Sequence, residues 1–322
     1  MRRTRRCALL MASAVALVVP ACGDDEGGGG SGGLGTIEAA LGQLPPGDER
    51  PGMIISWADL DAVTEALGAT RPDGSSWDEV AAWGYEVLLD VDSPIGLVPP
   101  EPFGVRQARS PEDFAEEHGW SIADVDAFIE LVQPVGAFVA SGDLGIDEDL
   151  TVEVADGIRG TREGEGTLMA ERDGLLIAAR QREPLEGWVG DGPRLDEDEG
   201  LRSVARALDD RRAISAALVR REPLELDWAY DTAGIGWAVD GGEPRTVIAF
   251  RVLDDAEDAA DALERALEGA EVLGQPFASL LDLEDVDTDD DVVVLTFSLG
   301  PEGTGQTALQ LWSRHAFPFA AA

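Results

Sequence analysis

The chain has no lysine, and only two cysteines and two histidines occur among its 322 residues. Without lysine, a P-loop and the Ser-x-x-Lys type of serine hydrolase are excluded. Cys7 and Cys22 both lie near the start, so the rest of the chain has no thiol for a disulfide, a thiolate metal site or a cysteine nucleophile. His118 and His315 are far apart in sequence and belong to no His-Glu-x-x-His motif. The sequence therefore predicts neither a cofactor nor a zinc centre.

Basic residues are few compared with acidic ones. The chain has 64 acidic residues against 24 arginines, which gives a formal net charge of −40. Affinity for nucleic acid depends on basic groups, so we expect no nucleic-acid partner. Anionic lipid headgroups would repel such a surface as well. Exclusive use of arginine fits a GC-rich genome, and the acidity also fits a protein adapted to salt.

The N-terminus carries the most specific motif of the sequence. Four arginines lie between positions 2 and 6, and residues 8–19 form an apolar run too short for a membrane span. The run ends in Val19-Pro20-Ala21-Cys22. This pattern resembles the lipobox of bacterial lipoproteins. The resemblance implies diacylglyceryl transfer to Cys22 and cleavage of a signal peptide, residues 1–21. An ordinary secretory peptide or an uncleaved anchor are the alternatives, and export by the general or the twin-arginine route stays open.

Residues 22–52 would then be the lipidated cysteine and a flexible tether rich in glycine and proline. Removal of the signal peptide takes the net charge from −40 to −44, because it deletes four arginines and no acids. The predicted location is the extracytoplasmic face of the cell membrane, with the lipid as the anchor.

Residues 53–134 are predicted to be mainly helical after a short strand at 53–57. Helices are expected at 59–67, at 77–89 and after Ser110-Pro111. A further helix is expected from Ser121 to Pro134, because Ile122, Val125, Ile129 and Val132 recur at helical spacing.

From residue 135 onward the pattern predicts two α+β units. Strands at 135–141, 167–170, 175–179 and 213–219 alternate with helices at 147–155 and 201–208, in the order βαββαβ of ferredoxin-like folds. A second such unit, residues 212–322, would share the strand 213–219 with the first unit, residues 135–220. The predicted fold class is thus α+β, with a helical N-terminal part followed by two ferredoxin-like βαββαβ units with antiparallel sheets.

Two short sequence segments resemble those of uncharacterised envelope lipoproteins of actinobacterial type. They are Ile54-Ile55-Ser56-Trp57-Ala58-Asp59-Leu60 and Gly119-Trp120-Ser121-Ile122-Ala123-Asp124-Val125-Asp126. The resemblance implies no catalytic or ligand-binding residue.

The acidic runs are the remaining candidates for chemistry. Asp285, Asp287 and Asp289 superficially resemble a calcium loop, but the EF-hand glycine and its twelfth-position glutamate are missing. We interpret this segment as a solvated loop before a strand at 292–299, with weak metal binding as the alternative. The runs at 196–199 and 254–258 are expected to cap helices.

The eight tryptophans are the compositional hint of binding. Trp77, Trp83 and Trp237 lie in apolar periodic segments and are expected in the core. A second group lies near element ends, where an exposed indole can stack on a sugar, although core packing is favoured for these too. This group consists of Trp57, Trp120, Trp188 and Trp228.

Without a catalytic motif, the sequence favours a membrane-anchored, non-enzymatic binding or interaction module whose partner is an envelope protein or glycan. The alternatives are a glycan-acting hydrolase that uses a carboxylate pair, and a solute- or ion-binding lipoprotein that serves a transporter.

Overall fold

In the part of the chain that the structure describes, twelve antiparallel strands form one continuous sheet, which is covered by helices on both faces. The computed structural model describes residues 34–46, 52–100, 110–133, 136–161, 167–190, 192–220, 229–272, 274–314 and 316–318. All of them belong to one unit, Ser31–Ala322. The predicted signal peptide, Cys22 and residues 23–33 and 47–51 of the predicted tether lie outside the described residues.

The strands are β1 (Met53–Asp59), β2 (Val125–Gln133), β3 (Ala137–Gly142), β4 (Thr151–Ala155), β5 (Ile158–Thr161), β6 (Leu168–Arg172), β7 (Leu175–Ala179), β8 (Ala213–Arg220), β9 (Tyr230–Asp240), β10 (Glu243–Val252), β11 (Glu271–Val272), β12 (Gln275–Pro276), β13 (Leu281–Asp289) and β14 (Val292–Leu299). Their order in the sheet is β13-β14-β10-β9-β8-β1-β2-β3-β7-β6-β5-β4, and β11 pairs with β12 separately.

The helices are α1 (Ile37–Leu41), α2 (Leu60–Ala66), α3 (Trp77–Gly84), α4 (Pro111–His118), α5 (Arg182–Val189), α6 (Glu199–Asp210), α7 (Ala256–Leu267) and α8 (Gly305–Ser313). A π-turn, Tyr85–Leu89, extends α3. Short 3-10 turns lie at Ile122–Asp124, Leu195–Glu197 and Phe277–Ser279.

Alternation along the strands divides the core into two layers. Successive side chains of a strand point to opposite faces of the sheet, and the buried residues separate accordingly into two clusters. Face A of the sheet packs against α2, α3, α4, α7 and α8. Face B packs against α1, α5 and α6. Because both faces are covered, the central strands are apolar along nearly their whole length.

The two halves of the sheet repeat one arrangement. In the first, β1 pairs with the hairpin β2–β3, and the hairpin β6–β7 adds beside β3. In the second, β8 pairs with the hairpin β9–β10, and the hairpin β13–β14 adds beside β10. Antiparallel pairing of β1 with β8 joins the halves into one sheet.

This architecture corrects the predicted fold class. The chain is not a helical N-terminal part followed by two ferredoxin-like βαββαβ units, because β1 and β2 of the supposed helical part lie at the centre of the twelve-stranded sheet. The strand 213–219 exists as β8, but it pairs with β1 and β9 within that one sheet.

Two predicted helices are strands. Residues 125–133 form β2, and only Ile122–Asp124 make a helical turn. Since β2 is buried on both faces, its apolar residues satisfy the helical spacing by chance. Of the predicted helix 147–155, Thr151–Ala155 form β4.

Other elements are confirmed where local signals are strong. Asp198 caps α6 by accepting hydrogen bonds from Gly200 N and Leu201 N. Asp255 caps α7 through Glu257 N and Asp258 N. The interpretation of both acidic runs as caps is therefore confirmed.

Helix α1, at the start of the folded unit, is hydrogen-bonded to α6. The Asp209 carboxylate accepts hydrogen bonds from Ile37 N and Glu38 N, each 2.9 Å long. Trp57 Nε1 donates to Leu34 O at 3.1 Å on the same face of the sheet. Residues 34–44, which were predicted to belong to the flexible tether, thus include a helix that is held to face B.

Candidate functional site: an apolar cavity beneath α8

A cavity of about 630 Å³ lies between face A of the sheet and the C-terminal helix α8. This volume falls within the range typical of small-molecule sites. The described residues that line it are Gly52, Ile54, Val98, Gln133, Ala217, Val219, Tyr230, Ala233, Phe250, Gln306, Leu309, Gln310, Trp312, Ser313 and Phe317.

The floor of the cavity is the centre of the sheet. Ile54 of β1, Ala217 and Val219 of β8, Ala233 of β9 and Phe250 of β10 all point to face A. The two alanines lie on neighbouring strands and are buried. Their small side chains leave open the space that larger residues would fill.

The roof of the cavity is one side of α8. Gln306, Leu309, Gln310 and Ser313 follow the i, i+3, i+4, i+7 spacing of a single helix face. The neighbouring face, with Ala308 and Leu311, is buried in the core and holds the helix in place. Thr304 caps the helix by accepting a hydrogen bond from Thr307 N.

The loop around Gly96 fixes the position of α8. Ser215 Oγ donates to Gly96 O at 2.6 Å, and Trp237 Nε1 donates to Gly305 O at 3.1 Å. Gly305 N in turn donates to Ser93 O at 2.8 Å. A Cβ on Gly96 would come closer than 3.0 Å to three ring atoms of Trp237, so the loop lies directly on the indole.

Aromatic side chains line the end of the cavity near the C-terminus. The rings of Tyr230 and Phe250 meet edge to face with centroids 5.1 Å apart. Trp312 lies 6.0 Å from Phe250 and 6.5 Å from Phe317. The apolar wall is therefore continuous from β9 across α8 to Phe317.

The described lining residues carry no charge, although 27% of the chain is charged. Arg220 and Arg251 adjoin Val219 and Phe250 in sequence, but strand alternation turns them to face B. There Arg220 pairs with Asp198, and Arg251 pairs with Asp291 at 2.7 Å.

The predicted metal candidates lie far from this arrangement in the sheet. Asp285, Asp287 and Asp289 belong to the edge strand β13, so the interpretation of this segment as a loop is wrong. All three are exposed, and a hydrogen bond from Arg211 lowers the pKa of Asp287. Among the described residues no group of three His, Cys, Asp or Glu side chains could hold a metal ion.

The remaining predicted residues do not converge on a site. His118 is the last residue of α4 and is buried beside Phe114, with ring centroids 4.2 Å apart. Trp57, Trp120 and Trp188 are buried, so they offer no exposed stacking surface. His315 and Trp228 lie outside the described residues.

Sequence reasoning missed the helix that roofs the cavity. Thr304 at the cap, with Ala308, Leu311 and Trp312 at i, i+3 and i+4, is an amphipathic signal that could have revealed α8. The alanines of the floor carry no comparable signal, because a small residue in a strand does not indicate whether a neighbouring helix fills the space beside it.

Comparison with known proteins does not identify the chain. No family model matches it, and no curated protein matches its sequence. Among solved structures, TP0453 in its crystal form I gives a TM-score of 0.39 at 11% identity, over 84% of this chain and 96% of that one. Crystal form III gives 0.37 at 8% identity, over 84% and 98%. Values this low do not establish a shared fold. None of the described helices is long and apolar enough to cross a membrane.

Proposed function

We propose that this protein is a non-enzymatic binding protein of the bacterial cell envelope that holds a small, largely apolar molecule beneath α8. The observation that carries the proposal is the cavity of about 630 Å³ between the sheet and α8, whose described lining residues are all uncharged. The predicted lipidation of Cys22 supports an envelope location. The lipid would also supply the membrane affinity, because the acidic body has no attraction for an anionic membrane surface.

The lining supports binding better than catalysis. General acid–base chemistry and glycoside hydrolysis need titratable groups at the reacting atoms. The described lining offers glutamine, serine and tyrosine as its polar side chains, and no carboxylate or histidine. Glutamine side chains orient a ligand by hydrogen bonds, and the described lining places no carboxylate or histidine beside Ser313 or Tyr230 that would activate its hydroxyl.

The test is a fluorescence titration with N-phenyl-1-naphthylamine, a neutral apolar probe. The protein is used as residues 23–322, which retain the whole unit from Ser31. We expect saturable binding of one probe per chain. Ala233→Leu and Ala217→Leu each place a larger side chain in the cavity. Each should weaken probe binding at least about tenfold, because the new side chain removes apolar contact between the probe and the cavity wall.

Ala39→Leu is the matched control, because it adds the same atoms to the exposed side of α1. It should leave probe binding unchanged. Thermal unfolding of each variant shows whether it is folded. Saturable binding that persists in both cavity variants, or no saturable binding to the folded wild-type chain, would contradict the proposal.

A further inference from the structure

The cavity changes from apolar to polar between its floor and its open side. Ala217, Ala233 and Phe250 on the floor are buried. Gln133, Gln310 and Ser313, which also line the cavity, are exposed. The polar groups therefore lie at the side that faces solvent, and a ligand that matches this order has an apolar body and a polar end.

The polar side is neutral and can both donate and accept hydrogen bonds. An amide side chain offers a carbonyl oxygen and an NH₂ group. The Ser313 hydroxyl donates to Gln310 O at 3.2 Å, which leaves its oxygen to accept a further hydrogen bond. These groups suit an ester carbonyl, which accepts, and an alcohol, which donates. They do not compensate a full negative charge as an arginine would.

Among the described residues, the arginines that adjoin Val219 and Phe250 of the cavity floor are engaged elsewhere. Arg251 faces α6, where its guanidinium lies beside Gly200 and pairs with Asp231 and Asp291. Arg220 pairs with Asp198, the cap of the same helix. Arg314 lies beyond the last residue of α8, is exposed, and does not line the cavity. The net charge of −40 adds a long-range field that disfavours anions.

From this arrangement we infer that the cavity takes a neutral acyl ester, such as a monoacylglycerol, in preference to the corresponding free fatty acid. The acyl chain lies on the floor formed by Ala217, Ala233 and Phe250. The ester and its alcohol face Gln133, Gln310 and Ser313. This inference rests on the proposed function, because it names the class of ligand for the same cavity.

The experiment is displacement of N-phenyl-1-naphthylamine from residues 23–322 by monolauroylglycerol and by laurate, which share one acyl chain. At pH 8 the ester should compete at least about tenfold better, because laurate would bring an unpaired charge to the cavity. Lowering the pH should strengthen competition by laurate, which becomes neutral on protonation. Competition by the ester should stay constant and serves as the control for the protein itself.

A charge-gain variant provides an independent readout. Gln310→Arg places a cation at the exposed side of the cavity, so it should improve competition by laurate relative to competition by the ester. Gln43→Arg, on the segment after α1, is the matched control and should change neither.

The outcomes separate the two proposals. If the probe does not bind at all, the proposed function fails. If the probe binds and laurate competes as well as the ester at pH 8, or neither competes, the ligand class is wrong while the binding site stands.

Discussion

Gly96→Ala tests the loop that holds α8 over the cavity. The new Cβ would lie closer than 3.0 Å to three atoms of the Trp237 ring. Neither side can yield easily, since Trp237 is fully buried and bonded to Gly305 O, while Gly96 O accepts from Ser215 Oγ. Overpacking of this kind costs about 1–3 kcal/mol, and the loss of one of the hydrogen bonds adds about 1 kcal/mol.

A total of about 2–4 kcal/mol corresponds, for a unit of this size, to a melting temperature lower by roughly 3–7 °C. Calorimetric unfolding of the Gly96→Ala variant measures this shift in melting temperature directly. Gly145→Ala is the control, because a Cβ at Gly145 meets no atom within 4 Å. Equal melting temperatures for Gly96→Ala and the wild-type chain would refute the account of how α8 is positioned.

Three further predictions concern the anchor, the start of the fold and acidic pH. Cys22→Ala should move the protein from the membrane fraction to the soluble fraction, and retention after a high-salt wash would contradict lipid anchoring. Asp209→Ala removes the acceptor for two backbone N–H groups of α1 and should destabilise the fold by about 1–2 kcal/mol in urea unfolding, whereas Asp210→Ala, at an exposed position, should have little effect. Asp287→Asn should cost less than about 1 kcal/mol at pH 7. Since Arg211 lowers the pKa of Asp287, that difference should vanish as the pH falls through the lowered pKa, and a constant difference down to pH 2 would contradict the pairing.

The sequence predicted elements whose signals are local. Capping residues and short apolar patterns identified α6, the start of α7 and the strands β6 and β7. These elements follow from short-range hydrogen bonding and one-sided burial. Such signals do not require knowledge of what lies on the other side of the sheet.

The incorrect predictions concern strands whose sequences do not alternate between apolar and polar residues. This happens where both faces of a strand are buried, or where the strand lies at the edge of the sheet. Central strand β2 is buried on both sides, so its apolar residues matched a helix. Strand β13 lies at the edge of the sheet, and its many acids suggested a loop, although charge on an edge strand discourages pairing with other chains. The pairing of β1 with β8, more than 150 residues apart, depends on long-range packing that single-sequence periodicity does not report.

The candidate site was less predictable than the fold. Its lining comes from β1, β2, β8, β9, β10 and α8, which meet only in the folded chain. A cavity formed by small residues has no sequence motif, unlike a set of metal ligands. The sequence therefore suggested a binding protein through its missing catalytic motifs, and the place of binding came from the structure.

Photoaffinity labelling tests the central claim most directly. A monoacylglycerol with a diazirine on its acyl chain is irradiated with residues 23–322, and the labelled peptides are mapped by mass spectrometry. The account predicts labels on the floor and roof of the cavity, at Phe250, Leu309 and Trp312, that are lost in Ala233→Leu. Labels spread over the surface, or cavity labels that Ala233→Leu does not reduce, would contradict a binding site beneath α8.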